Sequence, residues 1–207
     1  LAGHLVEIAS AQDWDDYVDC HILKPLEMSS TTTRQPVPPT LGEQVSSGYV
    51  RKSGRFTQAP FEFVTIPPAG SVSSTAADMG RFMIELLARG DTAVLTSAAR
   101  SQLFTSGYQH DSRLNRMLYG LYEQNSHGQQ LVGHSGDTLA FHTILLLCPA
   151  LNLGIFASYN SEGGERARDD LVDAILDRLI GRPNVHLDVA GAIDAGRYIG
   201  YYTSLRV

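Results

Sequence analysis

The sequence contains few lysines and no block of like charge. Its two lysines are Lys24 and Lys52, and the net charge of −6 is spread along the 207 residues. A phosphate-binding surface needs clustered Lys and Arg side chains, and no stretch of the sequence supplies such a cluster. The sequence therefore predicts that the chain does not bind nucleic acid.

Long apolar runs and cysteine frameworks are also missing. The longest apolar run, residues 144–148, has the length of a strand and ends at Pro149, far short of the roughly 18 residues of a membrane span. We therefore expect no membrane segment in this chain. The two cysteines, Cys20 and Cys148, have neither metal-ligand spacing nor the number for a disulfide framework. Cys148, inside the apolar run, is expected to be a small buried side chain.

Several segments have the periodicity of amphipathic helices. Residues 1–28 predict two helices, the second opened by a capping box of Ser10 and Asp13. A further helix begins with Thr75 and Asp78 and is expected to end at Gly90. The last one covers residues 165–180. We expect it to pack four side chains inward: Leu171, Ile175, Leu176 and Leu179.

Between the helices the pattern is that of strands. A hairpin of residues 49–51 with 55–57, turning at Ser53 and Gly54, precedes the central helix. Residues 119–124 and 130–132 predict a second hairpin, and residues 139–147 and 153–158 predict two apolar strands. The fold class that follows is α+β, with an antiparallel sheet flanked by helices.

The segment with the strongest chemical signal is residues 131–138, Leu-Val-Gly-His-Ser-Gly-Asp-Thr. One interpretation is the nucleophile elbow of an α/β-hydrolase, with Ser135 attacking, but Asp137 stands where that motif needs glycine. The elbow also needs a helix next, and an apolar strand follows here. A second interpretation is structural, a glycine-containing β-turn or bulge with incidental polar residues.

A third interpretation rests on resemblance to a family. Three segments, in this order along the chain, together resemble the class C β-lactamase-like serine hydrolases over about residues 1–180. They are residues 68–79 (Pro-Ala-Gly-Ser-Val-Ser-Ser-Thr-Ala-Ala-Asp-Met), residues 133–138, and residues 156–164 (Phe-Ala-Ser-Tyr-Asn-Ser-Glu-Gly-Gly). Residues 22–28 also look like the end of that family's helical region. The resemblance implies the C-terminal part of a β-lactamase/transpeptidase-like fold, incomplete in this chain, with no cofactor.

The resemblance assigns roles to residues 134–137. His134, Ser135 and Gly136 stand at the place of the family's Lys-Thr-Gly motif, on the strand that forms one wall of the active site. The hydroxyl of Ser135 would bind substrate, Gly136 would let the ligand approach the backbone, and the N–H of Asp137 would be an oxyanion-hole donor. His134 and Asp137 are therefore the candidate catalytic residues, and Ser135 and Gly136 are candidate substrate-binding residues.

Two positions depart from the family's β-lactamases. Histidine at 134 replaces lysine and is only partly charged at pH 7, so it would anchor a substrate carboxylate more weakly. Ala69, next to Gly70 in the segment that would border the substrate, stands where class C β-lactamases usually carry an aromatic residue. Both departures favour an esterase or peptidase acting on a small molecule or peptide.

Two motifs that this chemistry needs are missing from the sequence. In Ser-x-x-Lys the serine attacks and the lysine takes its proton. His21 precedes Lys24 by three residues and Tyr49 precedes Lys52 by three, so neither lysine completes the motif. Tyr-x-Asn does not occur either. Ser158-Tyr159-Asn160 has the related Ser-x-Asn form but follows the third motif, and we interpret it as a coincidental turn.

These absences predict a fragment of a serine hydrolase that is inactive alone. Leu1, Leu5 and Ile8 have helical spacing from the first residue, which suggests that the chain starts inside a helix. We expect residues 1–184 to belong to the β-lactamase-like domain and residues 185–207 to be a linker and the start of a small β domain. A homodimer, strand exchange or a partner chain would cover the exposed apolar surface.

Other interpretations stay open at this point. A non-catalytic relative of the penicillin-binding proteins, binding a peptide or cell-wall ligand, is the main alternative. The compartment is also open, although the resemblance implies a periplasmic or secreted protein. A metal site at His134, Asp137 and His142 is disfavoured, because eight residues of strand separate the two histidines by roughly 27 Å. The remaining histidines are expected at the surface or at helix caps: His4, His21, His110, His127 and His186.

Overall fold

The computed structural model describes residues 1–43, 45–182 and 200. The helices are α1 (Ala2–Ser10), α2 (Trp14–Val18), α3 (Pro39–Gly42), α4 (Ala76–Leu87), α5 (Ser97–Thr105) and α6 (Gly164–Leu179), with π- or 3₁₀-helical turns at Asp19–Leu23, Pro67–Ala69 and Pro149–Leu151. The strands are β1 (Tyr49–Lys52), β2 (Arg55–Gln58), β3 (Gly107–Tyr108), β4 (Met117–Leu118), β5 (Tyr122–Glu123), β6 (Val132–Asp137), β7 (His142–Cys148) and β8 (Leu153–Tyr159). None of these helices is long and apolar enough to cross a membrane.

The strands form two antiparallel sheets. β1 and β2 make the predicted hairpin, in which Ser53 and Gly54 both have positive φ, as a two-residue type I′ turn requires. The other strands form one six-stranded sheet in the order β3-β4-β5-β6-β7-β8, so each strand pairs with its neighbour in sequence. The predicted α+β fold with an antiparallel sheet is confirmed.

Helices cover both faces of the large sheet. Alternate residues of a strand face opposite sides, so β7 directs Ile144, Leu146 and Cys148 towards α6 and Leu145 and Leu147 towards α4. On the α4 side, Leu145 and Leu147 pack against α5 and against the apolar stripe of α4, which consists of Met79, Phe82, Met83, Leu86 and Leu87. Cys148 is buried, as expected.

The N-cap agrees with the sequence at α4 but not at α2, and α4 ends at Leu87 rather than at the predicted Gly90, because Ala88 is already extended. Thr75 caps α4, because its Oγ1 accepts a hydrogen bond from Asp78 N at 3.2 Å. At α2 the N-cap is Asp13, whose carboxylate accepts from Asp15 N at 2.9 Å, and Ser10 donates its hydroxyl to Val6 instead. The expected capping box at Ser10 is therefore wrong.

The inward face of α6 is predicted correctly at Ile175 and Leu176 but not at Leu171 and Leu179. Leu171 and Leu179 are 40% and 61% exposed, whereas Val172 and Leu176 are buried against the sheet. The buried line runs at four-residue spacing from Gly164, so it includes a charged residue, Arg168, that an apolar pattern does not reveal. The helix ends at Leu179, close to the predicted residue 180, and Gly181 after the cap has a φ of 86°, a conformation that glycine adopts easily.

Two strands are shorter than the sequence predicted. β7 begins at His142 rather than at Leu139, because residues 138–141 form the turn after β6, closed by a 2.8 Å hydrogen bond from Thr138 N to Phe141 O. β5 begins at Tyr122 rather than at Tyr119, because Gly120 has a φ of 69° and turns the chain. The β domain predicted over residues 185–207 lies outside the described residues, apart from Gly200.

Candidate functional site

The segment that carried the chemical signal is a regular strand of the large sheet. β6 pairs with β7 without interruption from Val132↔Leu147 to Asp137↔His142, so there is neither a bulge nor a turn between those residues. The uninterrupted pairing excludes the bulge interpretation. A strand rather than a helix follows β6, which excludes the nucleophile elbow. Gly133 cannot carry a side chain, because a Cβ there would collide with the backbone carbonyl of Leu145.

Half of β6 has an open edge. β5 pairs only with the beginning of β6, at Glu123↔Val132 and Tyr122↔Gly133. Past that point β5 turns away, and no described strand pairs with residues 134–137 on that side. An open edge exposes backbone donors and acceptors that an additional strand or an extended ligand can bind.

The backbone of Asp137 faces this open edge. Gly133 bonds to β5, and Ser135 N donates to the phenol oxygen of Tyr122 on the same side at 2.9 Å. Backbone groups of alternate residues point to the same side of a strand, so the N–H of Asp137 follows those of residues 133 and 135. The groups of His134 and Gly136 point the other way, into the ladder with β7.

Tyr122 lies across the edge and contacts Ser135. Its phenol oxygen is 2.6 Å from Ser135 Oγ, in addition to the bond that it accepts from Ser135 N. Sequence reasoning did not single out Tyr122. The predicted hairpin of residues 119–124 with 130–132 was the available signal, because its register places Tyr122 beside the strand that carries Ser135.

His134 and Gly136 lie on the α4 face of the sheet. They line a cavity of about 370 Å³ together with Phe82, Leu103 and Thr143. The imidazole of His134 is exposed, and its ring centroid lies 5.3 Å from that of Tyr122. The open edge and this cavity therefore meet at residues 134–136.

The carboxylate of Asp137 points away from the open edge, towards α6. Its Oδ1 accepts a hydrogen bond from Arg168 Nη1 at 2.8 Å and lies 2.8 Å from Nδ1 of the buried His142. His142 Nε2 is buried without a hydrogen bond, 3.5 Å from the carboxylate of Glu165. Hence the side chain of Asp137 anchors the end of β6 to α6, while its backbone N–H faces the edge.

Of the two candidate residues Ala69 and Gly70, only Gly70 lines a cavity beside the site. Both follow Pro67 in the short helical turn, and Ala69 is exposed. Gly70 lines a second cavity, of about 930 Å³, to which Thr138 and Thr143 also contribute. Met79, Thr143 and Phe156 line both cavities, so the cavity at Gly70 adjoins the one at His134 and Gly136, whereas Ala69 lines neither.

Glu62 holds the turn after β6 from a distant part of the chain. Its carboxylate accepts hydrogen bonds from Thr138 Oγ1 at 2.7 Å, Leu139 N at 2.9 Å and Ala140 N at 3.3 Å. Burial alone would raise the pKa of Glu62, but these hydrogen bonds outweigh it, and the pKa is lowered from its usual value of 4.5. No local pattern in the sequence indicated this contact, which spans 76 residues.

The histidines need two corrections. His134 and His142 do not lie on one continuous strand, because the chain reverses between them at residues 138–141, so the predicted separation of roughly 27 Å is wrong. Among the described residues, no group of three or more His, Cys, Asp or Glu is placed to bind a metal ion. His127 is nearly buried and lies 2.9 Å from Asp177, so its expected position at the surface is wrong. His4, His21 and His110 are exposed as expected, and His186 lies outside the described residues.

Ser158, Tyr159 and Asn160 do not form a turn. Ser158 and Tyr159 are the last residues of β8, and Asn160 donates its side-chain N–H to Ser47 O at 2.9 Å. Ser158 and Asn160 also line the larger cavity. The prediction of a coincidental turn is therefore wrong, and Asn160 fixes the segment before β1 to the end of the sheet.

Solved structures of similar fold are penicillin-binding and hydrolytic proteins. The octameric penicillin-binding protein homologue from Pyrococcus abyssi is 23% identical, with a TM-score of 0.73 over 87% of this chain and 40% of that one. The D-stereospecific amidohydrolase from Streptomyces sp. is 21% identical, with a TM-score of 0.64 over 88% and 53%. The class C beta-lactamase from Rhodobacter sphaeroides is 19% identical, with a TM-score of 0.64 over 84% and 57%.

The chain thus spans about half the length of these solved relatives. None of the curated proteins matches it. The family model described as Beta-lactamase matches residues 1–180, which include β6, its open edge and both cavities. The strand-borne Gly-His-Ser-Gly-Asp-Thr segment, the fold around it and this match agree, and the chain belongs to the beta-lactamase family.

Proposed function

We propose that this chain forms one wall of the active site of a serine hydrolase, which acts through an acyl-enzyme on an ester, peptide or β-lactam carbonyl. The observation that carries the proposal is the open edge of β6, where the N–H of Asp137 faces outward beside Ser135 and Gly136. The attacking serine and its lysine lie in polypeptide outside these 207 residues, because neither Lys24 nor Lys52 completes Ser-x-x-Lys. The chain alone is then inactive.

The N–H of Asp137 supplies one donor of the oxyanion hole. When a nucleophile attacks a carbonyl carbon, negative charge develops on the carbonyl oxygen, and a fixed N–H aimed at that oxygen stabilises the transition state by about 3 kcal/mol. Asp137 suits this role because Arg168 and His142 hold its carboxylate on the opposite side. Little reorganisation is then needed during the reaction.

The neighbouring residues bind and orient the substrate. Gly136 has no side chain, so an extended ligand can approach the edge closely, and Ser135 offers a hydroxyl to it. His134 lines the smaller cavity on the α4 face, and Gly70 lines the larger cavity next to it. Histidine in place of lysine at position 134 and the small side chain of Ala69 favour ester and peptide substrates over β-lactams.

A serine-directed covalent probe tests this assignment. We expect a fluorophosphonate or a fluorescent penicillin to leave the 207-residue chain unlabelled by intact mass, as it leaves the Ser135→Ala variant. Stoichiometric labelling at Ser135 would contradict the proposal and make Ser135 the nucleophile.

The same probe applied to a longer natural polypeptide that contains this chain separates two functions. Labelling at a serine of a Ser-x-x-Lys motif supports the hydrolase. A polypeptide that binds peptide or cell-wall ligands but is never labelled would instead be a non-catalytic relative of the penicillin-binding proteins.

We also propose that a second polypeptide, either a copy of this chain or the rest of a longer protein, covers its exposed apolar surface. Phe61, Phe63 and Ile66 are 42%, 63% and 64% exposed beside the larger cavity, and the outer edge of β8 pairs with no strand among the described residues. Light scattering is expected to show a dimer or larger assembly. A monodisperse monomer that binds no apolar dye would contradict this.

A further inference from the structure

Tyr122 forms hydrogen bonds with the backbone N–H and the hydroxyl group of Ser135, a residue that we expect to bind substrate. The Ser135 N–H is directed at the open edge, where an extended ligand would accept it, and the phenol oxygen of Tyr122 accepts it instead at 2.9 Å. The same phenol oxygen lies 2.6 Å from Ser135 Oγ. Tyr122 thus occupies the N–H of Ser135 and leaves the N–H of Asp137 as the remaining backbone donor of residues 135–137 on this side.

The two hydroxyl groups share one hydrogen bond and so leave one hydroxyl hydrogen for a ligand. A phenol is the more acidic hydroxyl and the stronger donor, so the favoured arrangement has Tyr122 donating to Ser135 Oγ. Ser135 then keeps its own hydrogen and can donate it outward to a ligand on the edge. In this arrangement the phenol fixes the direction of the Ser135 hydroxyl, since the serine oxygen is held as an acceptor from one side.

We infer that Tyr122 is a positioning residue of this site, which holds the Ser135 hydroxyl as a single outward donor and withholds the Ser135 N–H from substrate. The inference rests on the proposed function and specifies its substrate class. One neutral donor satisfies one acceptor, such as an ester or amide carbonyl next to the scissile bond. A free carboxylate beside Ser135 is bound better by two donors than by one, and the Ser135 N–H that would be the second donor is taken by Tyr122.

The test compares a matched pair of ligands on the 207-residue chain. N-acetylglycine and its methyl ester differ in charge but little in shape, and their binding is followed by the amide NMR shifts of residues 133–137 at constant ionic strength. We expect the wild-type chain to bind the ester at least as well as the acid. In Tyr122→Phe the Ser135 N–H becomes available, so the preference should move towards the acid by about tenfold, the effect of one charge-assisted hydrogen bond.

A second readout is independent of any ligand. In Tyr122→Phe the amide hydrogen of Ser135 should exchange with solvent at least tenfold faster than in wild type, because its acceptor is gone. Ser135→Ala keeps the N–H bond to the phenol, so the amide of residue 135 should stay protected while ester binding weakens. Tyr108→Phe removes an exposed phenol from β3 of the same sheet and should change neither readout.

The outcomes distinguish this inference from the proposed function. If both ligands shift the β6 amides and Tyr122→Phe leaves the preference unchanged, the role of Tyr122 is contradicted while the wall remains a binding site. If neither ligand shifts those amides in any variant, the proposed wall is contradicted and the role of Tyr122 with it. A Ser135 amide that exchanges equally fast in wild type and Tyr122→Phe would also overturn the inference.

Discussion

The two faces of the large sheet differ in how completely they are covered. On the α6 face, Ile144, Leu146, Val172 and Leu176 are all at most 5% exposed. On the α4 face, Thr143 and Phe156 line both cavities. The residues expected to contact substrate, His134 and Gly136, lie on this incompletely covered face.

The two faces of the sheet therefore have different roles, stable packing on the α6 face and ligand access on the α4 face. The α6 face provides the stable packing that fixes β6, and it also holds the carboxylate of Asp137 through Arg168. The α4 face has room for a ligand. A site built in this way gains rigidity from the closed side and access from the open one.

The largest effect should come from the closed face. Leu176→Ala removes a side chain that is 2% exposed in the core between α6 and the sheet, and we expect it to lower the free energy of unfolding by about 3 kcal/mol. Leu179→Ala on the same helix removes a side chain that is 61% exposed, and it should cost less than about 0.5 kcal/mol. Urea unfolding of both variants measures the difference. Equal losses would mean that the two faces are not distinguished in this way.

An intermediate effect is expected where the closed face supports the site. Arg168→Met removes a side chain that is 7% exposed and leaves Asp137, Asp169 and the carbonyl of Thr143 with one partner fewer. Because Asp137 is itself 47% exposed, the loss should be about 2 kcal/mol, less than for a fully buried pair. Arg166→Met, at a position that is 89% exposed, should change unfolding by less than about 0.5 kcal/mol and serves as the control.

The smallest effect should depend on pH and lies at the turn next to the open face. Glu62 has a lowered pKa in the folded chain, so the stability that it contributes is present above its ordinary value of 4.5 and is lost as the pH falls through the folded-state pKa. The urea midpoint of wild type should therefore exceed that of Glu62→Gln near neutral pH, and the two should approach each other as the pH falls below 4.5. Glu43→Gln, at an exposed position, should show no such convergence. A gap that stayed constant over this range would contradict the role of the Glu62 charge.

Local patterns in the sequence were sufficient for the scaffold of the site. The Gly-His-Ser-Gly segment, the cap at Thr75 and the turn at Ser53 and Gly54 each depend on residues a few positions apart. Periodicity also found α6, but it selected Leu171 and Leu179 over Arg168, because an apolar stripe does not reveal a buried charge with a partner on a strand.

The remaining parts of the site depend on contacts that sequence spacing does not contain. Glu62 meets the turn after β6 across 76 residues, and Arg168 meets Asp137 across 31. Tyr122 meets Ser135 across 13 residues, and only the exact strand register places the phenol at the edge. Such contacts follow from the packed fold, so they become visible only when the strands and α6 are placed together.

The most direct test of the central claim is amide hydrogen exchange along β6, measured by NMR on the 207-residue chain. In the structure the N–H of Asp137 faces an open edge, while those of His134 and Gly136 bond to β7. We expect the Asp137 amide to exchange at least about a hundredfold faster than the other two. An Asp137 amide as protected as its neighbours would show that the edge is closed, and the oxyanion-hole role of Asp137 would be contradicted.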